Sequence, residues 1–186
     1  MPIPRIASVN VSLPIAVQID GKEVLTGIFK KPVDGRVRIV GNNLVGDAQA
    51  DLTVHGGPDK AIYAYPSAHY PLWSSELERE LSYGMFGENL TVDGLDESTV
   101  RVGDELRVGS ALLTVTIPRR PCFKLAFKFG RNDIIKRFAR SGRSGFYLAV
   151  VEEGELGAGD PVELERKAPE APTIAEVVES IYRRPR

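Results

Sequence analysis

With a single cysteine, Cys122, the chain can form no intrachain disulfide, and it is read as a protein of a reduced, cytoplasmic compartment. Histidine is nearly as scarce: His55 and His69 are the only two. Three Cys and His residues in all fall short of the four ligands of a structural zinc site. No apolar run approaches the roughly 20 residues that span a bilayer. The first residues, "MPIPRIASVNVSLPIAV", carry an early arginine, but three prolines interrupt them, which argues against a secretory leader. Also missing are the G-x-G-x-x-G and Walker A loops of nucleotide sites and the G-x-S-x-G elbow of serine hydrolases.

The composition is that of an ordinary globular chain, 42% apolar and 26% charged over 186 residues, enough for one domain with a substantial core. The formal net charge of −1 hides an asymmetry. Residues 119–143 hold nine basic residues against Asp133 alone, so that stretch carries +8 and the rest of the chain −9. Such a stretch is often no more than a solvated helix face. Here it surrounds the only thiol, and a positive field both favours thiolate and attracts anions such as phosphate. No nucleic-acid motif accompanies the charge, so a phosphate-bearing small molecule fits it better than a nucleic-acid polymer.

Apolar–polar alternation dominates the sequence. It runs through residues 5–40, with hairpin signals at Asp20-Gly21 and Asp34-Gly35. It continues through 47–55, where a strand would place Asp47, Gln49, Asp51, Thr53 and His55 on one face. A further hairpin is expected over Val108-Gly109-Ser110. Helices are expected from about Pro66 to Gly84, as two short pieces either side of Gly130-Arg131, and after Thr173, which forms a capping box with Glu176. Many short strands with few helices predict a mainly β fold with helical insertions (α+β), a closed or nearly closed barrel ending in a short C-terminal helix.

Four stretches can carry chemistry. "PRRPCFKL" puts Pro121 and Cys122 in the first turn of a helix, with Arg119, Arg120 and Lys124 beside the thiol. "VHGGPDK" offers His55 as an acid or base, the Gly56 and Gly57 amides as an anion nest, then Asp59 and Lys60. "GMFGENL" sets Glu88 and Asn89 behind two glycines, Gly84 and Gly87, that permit close backbone approach. "SAHYPLW" places His69 on a helix surface. Phe86 and Phe123 are candidates to stack on an aromatic substrate. Each stretch read alone is also compatible with an inert buried thiol, a plain turn or a solvated charge.

Taken in order, "GDAQADLTVHGGPDKAIYAYPSAHYPLW", "MFGENLTVDGL", "VRVGDELRVGSALLTVTIPRRPCFKLAFKFG" and "SGRSGFYLAVVEEGELGAGDPVEL" resemble the MOSC domain family, in particular its stand-alone bacterial YiiM type. The resemblance covers about residues 5–166. It implies a MOSC β-barrel domain over residues 1–166, with 167–186 a linker and one helix where YiiM-type chains continue into three. It implies a molybdenum–pyranopterin cofactor, Cys122 as the molybdenum ligand, and no haem, flavin or zinc in this chain. Arg119, Arg120 and Lys124 are then expected to hold the pterin phosphate, aided by Gly56, Gly57, Asp59 and Asn89. His55 would deliver a proton, and Glu88 and Lys60 are further catalytic candidates. The implied activity is reduction of N-hydroxylated compounds such as 6-hydroxylaminopurine, with electrons from a separate flavoprotein and no membrane partner. Two other functions use the same residues. One is a carrier or sulfur-transfer module for the cofactor, without turnover. The other is a metal-free enzyme with Cys122 as nucleophile and His55 as base.

Overall fold

The computed structural model describes residues 3–50 and 56–182. The chain opens with β1 (Arg5–Val11), the hairpin β2 (Ile15–Ile19) and β3 (Lys22–Thr26), then β4 (Lys31–Val33), β5 (Arg36–Val40) and β6 (Asn43–Leu44). A 3-10 turn at Pro58–Lys60 leads into β7 (Ile62–Pro66), α1 (His69–Leu77) and β8 (Leu90–Asp93). After β9 (Glu105–Val108) and β10 (Ala111–Pro118) come α2 (Phe123–Phe129) and α3 (Ile134–Ser141). The chain returns through β11 (Phe146–Glu152), β12 (Glu155–Gly157) and β13 (Val162–Arg166) to α4 (Ile174–Tyr182).

Eight strands form one sheet in the order β13-β9-β10-β11-β7-β8-β1-β4, antiparallel except for the parallel pair β7 and β8. The sheet curls until its ends meet. Arg5 on β1 bridges Pro161, and the amides of Ile6 and Val162 bond the carbonyls of Asp160 and Pro4. This is the nearly closed barrel expected from the strand pattern. Its interior is aliphatic, with Ile6, Val9, Ile62, Leu90, Leu113, Val115 and Leu148 all almost fully buried. Ile174 and Val178 of α4 join that same core. The capping box is in place: the Glu176 amide donates to Thr173 Oγ1 at 3.1 Å, and the Thr173 amide donates to Glu176 Oε2 at 2.7 Å. Among the described residues no helix is long and apolar enough to cross a membrane.

A second core lies outside the barrel and positions the site. Alternation on β7 sends Ile62 and Ala64 inward and Tyr63 and Tyr65 outward. The outward pair meets Trp73 and Tyr70 of α1, Phe129 of α2, Phe138 of α3, and Phe86. Tyr65 stacks on Phe86 with centroids 4.5 Å apart, and Trp73 donates a 2.7 Å hydrogen bond to the Tyr65 hydroxyl. Phe86 is therefore wholly buried and unavailable to a substrate.

Several sequence expectations need correction. The first helix ends at Leu77, not near Gly84. Glu78 turns left-handed at φ 51°, and the following residues fold back around the Glu88 carboxylate. Asp34-Gly35 makes a bend, with Gly35 at φ 78°, but no hairpin, because β4 pairs with β1 while β5 pairs with β12 and β6. A local glycine signal permits the bend; the partner strand is chosen by tertiary contacts. Residues 47–50 are irregular and not strand. Asp51, Thr53 and His55 lie outside the described residues. The hairpins over Asp20-Gly21 and Val108-Gly109-Ser110 form as read, and α2 and α3 break at Gly130-Arg131.

Candidate functional site

A cavity of about 110 Å³ opens between the barrel wall and the segments 26–30, 47–50 and 119–124. It gathers Lys60, Asn89, Arg119, Cys122 and Lys124 from three of the stretches singled out in the sequence. It also brings in Asp47 and Gln49 from the alternating run after residue 46, and three residues that the sequence did not reveal: Lys30, Tyr63 and Tyr147. Among the described residues four cations, Lys30, Lys60, Arg119 and Lys124, line it against one carboxylate, Asp47. That balance favours an anionic occupant.

Cys122 is half-buried and caps α2 from an extended conformation, φ −134° and ψ 174°; the helix itself starts at Phe123. The expectation that Pro121 and Cys122 occupy its first turn is thus corrected by one residue. α2 has only seven residues, and a helix end contributes roughly 0.3–1 kcal/mol to a charge beside it. The nearby guanidinium of Arg119 is the stronger influence. Arg119 leaves the end of β10, is itself buried, and donates a hydrogen bond to the Phe86 carbonyl. Its guanidinium lies 4.8 Å from the Tyr63 ring centroid and 5.8 Å from that of Phe138. Burial opposes its charge, but Tyr63, Tyr147 and Cys122 outweigh burial and keep Arg119 protonated. A fixed cation in electrostatic contact with the thiol stabilises thiolate.

Tyr63 and Tyr147 face each other across β7 and β11 as a cross-strand pair, with ring centroids 5.2 Å apart. The Tyr63 hydroxyl donates to the Ser144 carbonyl at 2.7 Å. Burial pushes the pKa of both phenols up, against the pull of Arg119.

Asn89 works as a strut. Its Oδ1 accepts from the Tyr63 amide at 3.1 Å, and its Nδ2 donates to Asp47 Oδ2 at 2.9 Å. Asp47 Oδ1 accepts from the Ser12 amide at 2.9 Å and is ion-paired with Lys30, whose side chain is 9% exposed and that of Asp47 4%. Burial lowers the Lys30 pKa, and Asp47 opposes that fall. Gln49 clamps the "GGPDK" loop from both sides: Oε1 accepts from the Gly57 amide at 3.1 Å, and Nε2 donates to the Lys60 carbonyl at 3.0 Å. The Gly57 amide is thus committed to Gln49 and is no open anion nest.

The other candidates stand apart from the cavity. Gly56 and Asp59 do not line it, and Asp59 is exposed with its carbonyl accepting from Thr116 at 2.6 Å. Arg120 is exposed and interacts with Tyr182 of α4. Glu88 is 0% exposed and turned away, toward the amides of Gly84 (2.8 Å) and Phe86 (3.1 Å), the Thr91 hydroxyl (2.9 Å) and the Tyr70 hydroxyl. The glycines beside it do allow close approach. A Cβ on Gly84 would stand 2.6 Å from the Lys30 carbonyl oxygen, and both Gly84 and Gly87 have positive φ. His69 is not a surface residue: its Nε2 lies 2.8 Å from Glu97 Oε2, with both side chains mostly buried. Phe123 is exposed at the start of α2.

Beneath the cavity, Lys128 donates to the carbonyls of Ile28 (2.7 Å) and Gly84 (2.6 Å). Its pKa falls to about 7, chiefly through burial, with Arg119 and Lys30 adding to the fall and Glu88 opposing it. Between that value and the ordinary 10.5 the unfolded chain binds the proton and the folded chain does not, so stability rises with pH across the window. Chemical denaturation should show the wild type gaining a few kcal/mol on Lys128→Met between about pH 7 and pH 10. Parallel pH profiles would refute the burial of that charge.

This arrangement agrees with three comparisons. A family model described as MOSC domain matches residues 51–163. YflK of Bacillus subtilis (strain 168) is 46% identical over 159 residues, 86% of this chain and 72% of YflK. YiiM of Escherichia coli (strain K12) is 41% identical over 142 residues, 75% of this chain and 63% of YiiM. A Gibberella moniliformis protein named "Reductase" is 36% identical over 148 residues, of which it is a much longer relative: 77% of this chain but 26% of that one. The crystal structure of YiiM from Geobacillus stearothermophilus superimposes with a TM-score of 0.80 at 38% identity, covering 96% of this chain and 84% of that one. The chain belongs to the MOSC domain family.

Proposed function

We propose that the protein is a molybdenum cofactor-dependent reductase of N-hydroxylated compounds, catalysing R–NH–OH + 2e⁻ + 2H⁺ → R–NH₂ + H₂O. The observation that carries this reading is the pairing of one thiol with four cations in a single cavity. A thiolate is a soft metal donor, and a cation-rich wall suits a phosphate-bearing, anionic cofactor. The residues therefore fit such a group by donor chemistry, although a cavity of about 110 Å³ admits only its reacting end. The name of the fungal relative points toward reductase chemistry as well.

When bound, the cofactor would supply two-electron redox chemistry. The chain's own residues do the rest. Cys122 would be the protein donor to molybdenum. Lys60 and Lys124 would neutralise the cofactor's negative charge, and Arg119 would hold Cys122 as thiolate. Asp47 and Asn89 fix Lys30 and the Tyr63 backbone in the cavity wall. His55 remains a proposed acid, next to the Gln49-clamped loop in sequence. Electrons would come from a separate flavoprotein, and the substrate would be a small N-hydroxylated molecule.

The test is turnover of 6-hydroxylaminopurine by cofactor-loaded protein with a chemically reduced viologen as electron source. Formation of the amine is expected. Tight loading with no turnover on any N-hydroxylated substrate would make the protein a carrier instead.

A further inference from the structure

Electrons for the proposed reduction must reach a cavity of about 110 Å³, which has no room for a donor's redox group beside its own occupant. The donor therefore has to seat on the outside of the protein, at the cavity mouth. α2 and the segment 25–29 border that mouth, since Cys122, Lys124, Thr26, Gly27 and Ile28 all line the cavity. On their solvent side the same two segments present an apolar patch. Phe123 and Phe127 stand one turn apart on α2, 49% and 39% exposed, and Leu25 is 51% exposed. Neither phenylalanine belongs to either core. Phe29 packs edge-on against Phe127, with ring centroids 6.2 Å apart. Lys124 and Lys128 donate to the carbonyls of Leu25 (3.2 Å) and Ile28 (2.7 Å), which holds the two segments together as one face.

The basic stretch 119–143 is only partly used by the cavity. Arg119 and Lys124 line it, Lys128 lies beneath it, and Arg143 pairs with Glu76. Arg120, Arg131, Lys136, Arg137 and Arg140 remain, at the two ends of α2 and on α3, which packs against α2. Asp133 is the one carboxylate in that stretch, shared by Arg131 and Arg137. On the hairpin side the exposed charges cancel, Lys22 and Lys31 against Asp20 and Glu23.

We infer that this face, with Phe123 and Phe127 at its centre, docks the electron donor, a flavoprotein with an acidic surface around its flavin; the inference rests on the proposed reduction. Aromatic anchors inside a charged rim are the ordinary make-up of a protein interface. A basic rim selects an acidic partner and speeds its encounter. A donor that gives one electron at a time docks twice per turnover, and two protons from solvent complete the amine and water. An anionic membrane would also meet cations and aromatics, but it brings no electrons.

The probe is an acidic flavodoxin. Its binding to cofactor-free protein is followed by calorimetry, and its reduced form is compared with reduced viologen as electron source for loaded protein. Wild type should bind flavodoxin saturably and more weakly as salt rises. The double variants Phe123→Ser/Phe127→Ser and Lys136→Glu/Arg140→Glu should each raise Kd at least about tenfold, at an unchanged melting temperature. In loaded protein both should lose flavodoxin-driven turnover by a similar factor and keep the viologen-driven rate within about twofold. No saturable binding by wild type, or an unchanged Kd in both variants, overturns the docking face while leaving the reduction standing. So does a viologen-driven rate that falls in step with the flavodoxin-driven one. Binding to phosphatidylserine vesicles, or a dimer broken by the phenylalanine variant, with no flavodoxin bound, gives the face to a membrane or a second copy and overturns it too. A wild type that reduces no N-hydroxylated substrate with viologen overturns both readings.

Discussion

Cys122→Ser should abolish turnover while leaving the fold intact. Cys122 is half-buried at the cap of a short helix and no part of either apolar core. Exchange of sulfur for oxygen there should cost under about 1 kcal/mol of stability. The chemical cost is of another order. A serine hydroxyl is not ionised at neutral pH and is a poor donor to a soft metal. Arg119, Lys60 and Lys124 would still attract the anionic end of the cofactor, so weak association can persist without the bond to metal. The expectation is a loss of at least about 10³-fold in kcat/KM, or about 4 kcal/mol of transition-state stabilisation, at an unchanged melting temperature. Full activity in this variant would place the chemistry elsewhere.

Glu88→Ala should produce the largest loss of stability. The carboxylate is fully buried and accepts from two backbone amides and the hydroxyls of Thr91 and Tyr70. Its removal leaves four donors without an acceptor and releases the 84–88 turn that seats Phe86 in the aromatic core. Losing one side of a buried, hydrogen-bonded charge network costs about 3–5 kcal/mol. Urea unfolding would measure it. A change under about 1 kcal/mol would mean that the turn is held by its packing alone. Activity should fall only in proportion to the folded fraction, since Glu88 does not reach the cavity.

That placement of Glu88 shows where the sequence was legible and where it was not. The "GMFGEN" spacing revealed that two glycines bring the backbone close to something, and that something is the segment 28–30. It did not reveal that adjacent residues diverge, Glu88 into the aromatic core and Asn89 toward Asp47. Local patterns with their own chemistry were readable: the DG hairpin between β2 and β3, the Thr173 capping box, the break at Gly130-Arg131, and a lone thiol among cations. Contacts made across the fold were not. Lys30 stands in an exposed-looking "FKKP" run, and only the curl of the barrel brings it to Asp47. Tyr63 and Tyr147 read as ordinary members of alternating strands; their pairing depends on β7 lying beside β11. The alternation over 47–50 suggested a strand, but the polar members were recruited as struts, and the ladder gave way to side-chain bonds from Asp47 and Gln49. The family resemblance joined the Cys122 and "HGGPDK" stretches into one site. The cavity contains Lys60 from the second, while His55 falls outside the described residues.

The central claim is that this cavity holds a molybdenum cofactor through Cys122. Its most direct test is the molybdenum and pterin content of protein freshly purified from a host that makes the cofactor, wild type against Cys122→Ser. The account predicts molybdenum and pterin in comparable amounts in the wild type, approaching one of each per chain, and loss of the metal in the variant. A wild type with neither, or a variant that retains the wild-type amount of molybdenum, would contradict it.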